Sequence, residues 1–106
     1  MATAAPSATG RVILDAGSKA LTSDALAKFG TYAAVLGDPD ARLLRCSEEH
    51  GHLDTSASLR SYAVGDRVHL LPNHVCPVVN LVDQVYPYRD GESIGVWDVS
   101  ARGCIT

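Results

Sequence analysis

No run of roughly 18 apolar residues, the length a membrane-spanning helix needs, occurs anywhere in these 106 residues. The start, Met1-Ala2-Thr3-Ala4-Ala5-Pro6-Ser7-Ala8-Thr9-Gly10, has neither the basic region nor the apolar stretch of a signal peptide. Residues 1–10 read as a flexible leader of small side chains, and the chain is expected in the cytoplasm. Basic residues are scattered: seven arginines and two lysines stand against twelve acidic residues, for a net charge of −3. That distribution argues against a nucleic-acid footprint, which takes a basic patch or stripe. Cysteine is sparse and odd in number, Cys46, Cys76 and Cys104. A secreted domain of this size would carry a denser, even set, so the three read as free thiols in a reducing compartment, with room for one on a metal. There is no glycine-rich phosphate loop, nucleophile elbow or metalloprotease signature.

What is present is enough for one domain over residues 11–106, with an apolar share of 46%. Arg11-Val12-Ile13-Leu14-Asp15-Ala16 reads as a buried strand ending at Gly17. Ser23 or Asp24 is placed to cap one short helical turn through Phe29. Tyr32 to Leu36 is a second apolar run, closed by the turn signal Gly37-Asp38-Pro39-Asp40, and Arg42 to Ser47 is a third strand. Residues 48–59 read as polar and irregular. Arg67-Val68-His69-Leu70-Leu71 alternates as a strand should, and Asp83–Tyr88 with Ser93–Val99 forms a terminal hairpin around an Asp90-Gly91 turn. About six short strands with hardly any helix predict a small antiparallel β-barrel or sandwich with at most one or two short helical turns.

The most informative segment is Leu71-Pro72-Asn73-His74-Val75-Cys76-Pro77-Val78-Val79-Asn80-Leu81, which sets two soft metal ligands, His74 and Cys76, two residues apart. If the backbone there is extended, both point to one face. Two protein ligands leave a zinc ion with open positions, as a catalytic metal needs. By themselves the pair fit a buried, satisfied couple equally well. His50 and His52 have the same spacing in a loop, but histidines beside two glutamates are better read as solvated than as half of a four-ligand site. Lys19, after Gly17-Ser18, invites comparison with a Schiff-base lysine. Its polar surroundings offer no desolvation, so a solvated or salt-bridged lysine is the better reading. His69 is read as a surface residue, and Tyr86 and Trp97 as core or interface.

Four stretches in order carry a resemblance: Leu14-Asp15-Ala16-Gly17-Ser18-Lys19-Ala20-Leu21, Ser47-Glu48-Glu49-His50-Gly51, Gly65-Asp66-Arg67-Val68 running to Pro72-Asn73-His74-Val75-Cys76-Pro77, and Trp97 through Ala101-Arg102-Gly103. Together they resemble the C-terminal β-domain of the D-serine dehydratase and D-threonine aldolase family. These are pyridoxal-phosphate (PLP) lyases built like alanine racemase, with a barrel followed by a β-domain. Pro-Asn-His-x-Cys is the most specific of the motifs.

The resemblance implies that His74 and Cys76 are metal ligands beside the substrate. It implies that the metal acts on the substrate β-hydroxyl as a Lewis acid. A cysteine at the second position resembles the dehydratases and suits zinc; an aspartate is expected there in the aldolases. Lys19, Glu49 and His50 are read as groups at the pocket rim or behind the ligands. Lys19 matches a β-domain position of the family, not the cofactor lysine. PLP is expected only through the barrel, which lies outside these residues, so the chain is not expected to be active alone. The partners expected are that PLP-binding barrel or a second subunit, with a small D-amino acid as substrate. The alternative is a standalone β-domain that binds a partner or dimerises without catalysis, and a third reading is a structural remnant with neither metal nor partner.

Overall fold

Alternation of small and branched side chains builds the sheet. The computed structural model describes residues 1–8, 10–24 and 30–104. Seven strands form one antiparallel sheet: β1 (Ala2–Ala8), β2 (Arg11–Leu14), β3 (Ala33–Val35), β4 (Arg42–Cys46), β5 (Gly51–Asp54), β6 (Arg67–Val68) and β7 (Leu70–Pro72). Their spatial order is β6-β1-β2-β5-β4-β3-β7. Only His69 separates β6 from β7, yet these two strands lie at opposite ends of the order, so the chain itself joins the two edges. The result is a nearly closed barrel.

Inward positions follow the two-residue period of a strand. They are Ala2 and Ala4 of β1, Val12 and Leu14 of β2, Ala33 and Val35 of β3, Leu43 of β4, Leu53 of β5 and Val68 of β6, all buried. Leu14, Leu43, Leu53 and Val68 are the largest fully buried side chains, each stabilising the fold by about 1.5–3 kcal/mol. A barrel this narrow has room for few large residues, and alanine fills the rest.

That narrowness corrects two expectations. Residues 1–10 are not a flexible leader, because Ala2–Ala8 is a strand paired with both β2 and β6. Its alanines, which suggest a loose tail by composition, are what the barrel interior accommodates. Pro6 lies beyond the end of β6, where its missing N–H leaves no ladder bond unmade. Residues 48–59 are not all irregular either: Gly51–Asp54 is β5, hydrogen-bonded to β2 on one side and β4 on the other. The expected helical turn through Phe29 falls on residues 25–29, outside the described ones.

After Val68 none of the described residues is buried. This part holds helix α1 (Val75–Asn80) and a long, interrupted hairpin of β8 (Gln84–Val85), β9 (Tyr88–Arg89), β10 (Glu92–Ser93) and β11 (Trp97–Asp98). β9 pairs with β10 and β8 with β11. The turn is the expected Asp-Gly pair, with φ of 53° at Asp90 and 81° at Gly91, the left-handed values a two-residue I′ turn demands. Val99 N–H to the Asp83 carbonyl at 2.8 Å and Arg102 Nε to Asp83 Oδ1 at 2.5 Å close its base. The radius of gyration, 14.3 Å, exceeds the roughly 13 Å of a compact domain this long, as an arm standing off a barrel would produce.

Candidate metal centre

Strand β7 ends at Pro72, whose partner across the ladder is Ala33. Asn73 then staples the strand end to the segment before β3. Its main-chain N–H reaches the Tyr32 carbonyl at 3.3 Å, and its side-chain Nδ2 donates to the carbonyls of Thr31 at 2.5 Å and Asp24 at 3.2 Å. His74 follows in extended conformation, φ −139° and ψ 105°, as the residue preceding α1. Its ring Nδ1 lies 2.7 Å from Asp24 Oδ2. An ionised carboxylate only accepts hydrogen bonds, so Nδ1 is the donor, and in the neutral ring Nε2 is then the nitrogen with the lone pair. Both side chains are half exposed, at 50% and 53%.

Cys76 is the second residue of α1, and its thiol is free and exposed. The extended reading of residues 74–76 therefore needs correcting. The chain turns helical from Val75, and the same-face geometry of a strand does not apply to this pair. His74, Val75 and Cys76 are all exposed at the β7–α1 junction, and Cys76 carries a free thiol. Among the described residues, no group of three or more histidine, cysteine, aspartate or glutamate side chains is arranged to hold a metal by itself. Any metal there would have at most two protein ligands. Against the same end of the barrel lies a hollow of about 550 Å³ bordered by Thr31, Ala33, Leu71, Pro72 and Asn73. A second hollow, about 440 Å³, lies over β2, β5 and β4 around Ile13, Arg45 and His52, and touches neither His74 nor Cys76.

The other residues singled out by sequence gather elsewhere. Lys19 Nζ meets Glu49 Oε1 at 2.6 Å. That contact raises the lysine above its ordinary pKa and lowers the glutamate below its own. A lysine held protonated is the opposite of an activated amine, so Lys19 does not fit a Schiff-base role. The pair rests on main-chain bonds from Ser18 N–H to the Ser47 carbonyl, 2.8 Å, and from Lys19 N–H to the Glu48 carbonyl, 3.2 Å. Gly17 permits them: a Cβ there would stand 2.2 Å from the Ser47 carbonyl oxygen. Gly51 answers from the other side, where a Cβ would stand 2.8 Å from the Ala16 carbonyl oxygen. Asp15 accepts the Thr3 N–H at 2.5 Å, which lowers its pKa and ties β1 to the loop after β2. His50 is exposed, with its carbonyl accepting the Ser47 N–H. His52 lies in β5, and His69 is exposed. Among the described residues no hydrogen bond or ion pair links Lys19, Glu49 or His50 to His74 or Cys76.

Sequence reasoning missed two arrangements. In the sequence Asp24 offers only a helix cap, and its pairing with a histidine 50 residues away leaves no local pattern. Asp38, read as a turn residue, is buried and accepts the Ser58 hydroxyl and the Tyr62 hydroxyl at 2.5 Å each. Burial pushes its pKa up, but the two hydroxyl bonds together with the Ala41 N–H and the nearby Arg60 outweigh it, and the net direction is down. Tyr62 is pushed up to about 12, by burial first and then by the bond to Asp38. Arg60 lies 4.7 Å over the Tyr62 ring. This cluster pins the 55–66 loop to the β3–β4 turn.

Comparison with known proteins agrees with the fold. Residues 3–88 match the family described as "Putative serine dehydratase domain". An uncharacterized protein of Mycobacterium tuberculosis is 40% identical over 93 residues, 88% of this chain and 70% of that one. D-threonine aldolase of Arthrobacter sp is 37% identical over 88% of this chain, but that stretch is only 23% of the aldolase. Among solved structures, D-threonine aldolase from Filomicrobium marinum superimposes with a TM-score of 0.79 at 29% identity, over 99% of this chain and 28% of its own. D-threo-3-hydroxyaspartate dehydratase from Delftia sp. HT23 gives 0.74 at 25% identity, over 92% and 30%. That dehydratase is also known as two alanine variants, one of a histidine and one of a cysteine two positions later, the second in a metal-free form. This chain thus spans less than a third of the named enzymes it resembles, and it belongs to the serine dehydratase-like domain family, as a C-terminal domain of that kind.

Proposed function

We propose that this chain is the metal-bearing domain of a PLP-dependent lyase acting on 3-hydroxy-D-amino acids, with His74 Nε2 and Cys76 Sγ as the protein ligands of a zinc ion. The observation that carries the reading is at the β7–α1 junction: the ring of His74 is tied through Nδ1 to the Asp24 carboxylate, and Cys76, two residues on, carries a free, exposed thiol. An imidazole and a thiolate suit zinc better than harder cations. Two protein donors leave positions for water and a substrate oxygen, which an active metal requires. A histidine and a cysteine at the same spacing are the residues replaced in the two variants of the related dehydratase. When bound, zinc would act as a Lewis acid on the substrate β-hydroxyl. The substrate class is supported by the relatives' names: D-threonine and 3-hydroxy-D-aspartate both carry a hydroxyl at C3. Dehydration and retro-aldol cleavage both act at that hydroxyl, and Cys76 favours the dehydratase.

The chain's own residues would bind and orient. His74 and Cys76 would hold the ion, Asn73 fixes the strand end that carries them, and the Lys19–Glu49 clip with His50 would border the pocket rim. PLP does not fit the residues described here. The one described lysine, Lys19, is ion-paired, and the other, Lys28, lies outside the described residues. The cofactor would be held by a barrel that docks with this domain or by a second subunit.

The exposed arm favours such a partner. Leu81, Tyr86, Tyr88, Ile94, Val96 and Trp97 are all at least 46% exposed, large apolar side chains that a docked partner would cover. It equally suits the alternative of a dimerisation module without catalysis. The two readings separate in one experiment. The purified zinc-loaded chain is mixed with the PLP-binding barrel domain of a family dehydratase, and ammonia release from 3-hydroxy-D-aspartate or D-serine is followed. Turnover that disappears with Cys76→Ala is the expected result; no turnover despite demonstrated association would refute the lyase reading and leave the module.

A further inference from the structure

We infer that Asp24 is the positioning residue of the metal site: its carboxylate fixes the ring of His74 so that Nε2, and not Nδ1, faces the ion. The inference rests on the reading of His74 and Cys76 as ligands and adds to it a residue that neither the motif nor the chain's local pattern assigns.

The argument starts from the two nitrogens of imidazole. Only one binds a metal, and the hydrogen bond made by the other decides which. In this chain Nδ1 stands 2.7 Å from Asp24 Oδ2, a length normal for a charge-assisted bond. The carboxylate accepts the hydrogen bond from Nδ1–H, disfavours the neutral tautomer protonated at Nε2, and holds the ring plane against rotation. It also makes the imidazole a stronger donor at Nε2, the arrangement in which ligating histidines are found.

Asp24 is itself held in place, and by the neighbour of the residue it orients. Asn73 Nδ2 donates to the Asp24 carbonyl at 3.2 Å and to the Thr31 carbonyl at 2.5 Å. One strand end thus supplies both parts: Asn73 anchors the main chain of Asp24, and the Asp24 side chain returns to His74. This gives Asn73 a reason to precede the histidine. Because the anchor uses the main-chain oxygen of Asp24, replacing its side chain leaves that anchor intact. Asp24 is 53% exposed at its side chain, so substitution opens no cavity.

The experiment compares Asp24→Ala and Asp24→Asn with the full wild-type chain, using zinc alone as the probe in competition with a chromophoric chelator. His74→Ala and Cys76→Ala serve as controls, and cobalt(II) loading reports the ligand set through its sulfur charge-transfer and d–d bands. Asp24→Ala is expected to weaken zinc binding about 10- to 100-fold, with the thermal midpoint of the metal-free chain unchanged. Asp24→Asn keeps an oxygen that accepts the Nδ1–H bond, so it is expected to recover most of that loss with an unaltered cobalt spectrum. Unchanged affinity in Asp24→Ala, beside losses in His74→Ala and Cys76→Ala, would overturn the inference while leaving the ligand assignment standing. Equal losses in Asp24→Asn and Asp24→Ala, with cobalt bands shifted as for a lost oxygen ligand, would also overturn it, making Asp24 a ligand. Zinc binding untouched by His74→Ala and Cys76→Ala would instead refute the site itself, and the role of Asp24 with it.

Discussion

Replacing Gly17 by alanine tests whether the Asp15-x-Gly17-x-Lys19 motif is a docking device of the fold. The new methyl would sit 2.2 Å from the Ser47 carbonyl oxygen and 2.5 Å from that of Glu48. Contacts below about 3 Å do not survive, and both obstacles are main chain, so one segment has to move by most of an ångström. Moving it breaks or stretches the Ser18 N–H and Lys19 N–H bonds to the same two carbonyls. Overpacking of about 1–3 kcal/mol with two main-chain bonds of about 0.5–1.5 kcal/mol each gives a loss of roughly 2–6 kcal/mol. That is a large part of the roughly 5–15 kcal/mol that holds a domain together. Urea unfolding followed by far-ultraviolet circular dichroism measures the loss, and amide exchange at Ser18 and Lys19 locates it. Gly37→Ala is the control. Its φ is 80° with nothing within 4 Å, so it should cost only the backbone strain of about 1–2 kcal/mol and leave those amides protected. A Gly17→Ala variant within about 1 kcal/mol of wild type, with Ser18 and Lys19 still protected, would refute the reasoning.

Tyr62→Phe should destabilise the chain by about 1.5–3 kcal/mol near neutral pH, since it removes a hydroxyl bonded to the ionised Asp38. Tyr62 is raised to about 12 from 10.0, so its contribution is complete below pH 10 and is lost as pH climbs towards 12; Asp38 is lowered from 3.8, so its contribution is present above that value and lost as pH falls through the lower one. The stability gap between wild type and Tyr62→Phe should therefore narrow at both extremes, and a gap constant across the whole pH range would count against the cluster. If the exposed arm is the proposed docking surface, Trp97→Ser should weaken association with an added PLP-binding barrel domain or with a second copy by about 2 kcal/mol, roughly thirtyfold in Kd by sedimentation equilibrium. An unchanged Kd would place the interface elsewhere.

Much of the barrel was legible because its strands announce themselves. Arg11 to Ala16, Tyr32 to Leu36 and Arg42 to Ser47 alternate or run apolar between turn residues, and each contains a strand. The Asp90-Gly91 turn was equally plain, since few other pairs accept left-handed φ at both positions. β1 was not legible. Alanine, threonine and serine at a chain start resemble a loose tail, and only the narrow interior makes Ala2 and Ala4 core residues. β5 was hidden by His52 and Asp54, outward residues that left Leu53 as the single large apolar side chain of a four-residue strand. The β7–α1 junction was half legible. The residue types of a metal site were visible, but the helical start at Val75 and the approach of Asp24 depend on the closed barrel bringing residues 24 and 74 together. Lys19 and Glu49, 30 residues apart, stood out by resemblance, while their contact rests on what Gly17 and Gly51 leave empty.

The most direct test of the metal assignment is the zinc content of the purified chain, wild type beside His74→Ala and Cys76→Ala, after dialysis against buffered zinc. The account predicts close to one zinc per wild-type chain and a substantial loss in each variant. Zinc absent from the wild type, or present in equal amount in all three, would contradict it.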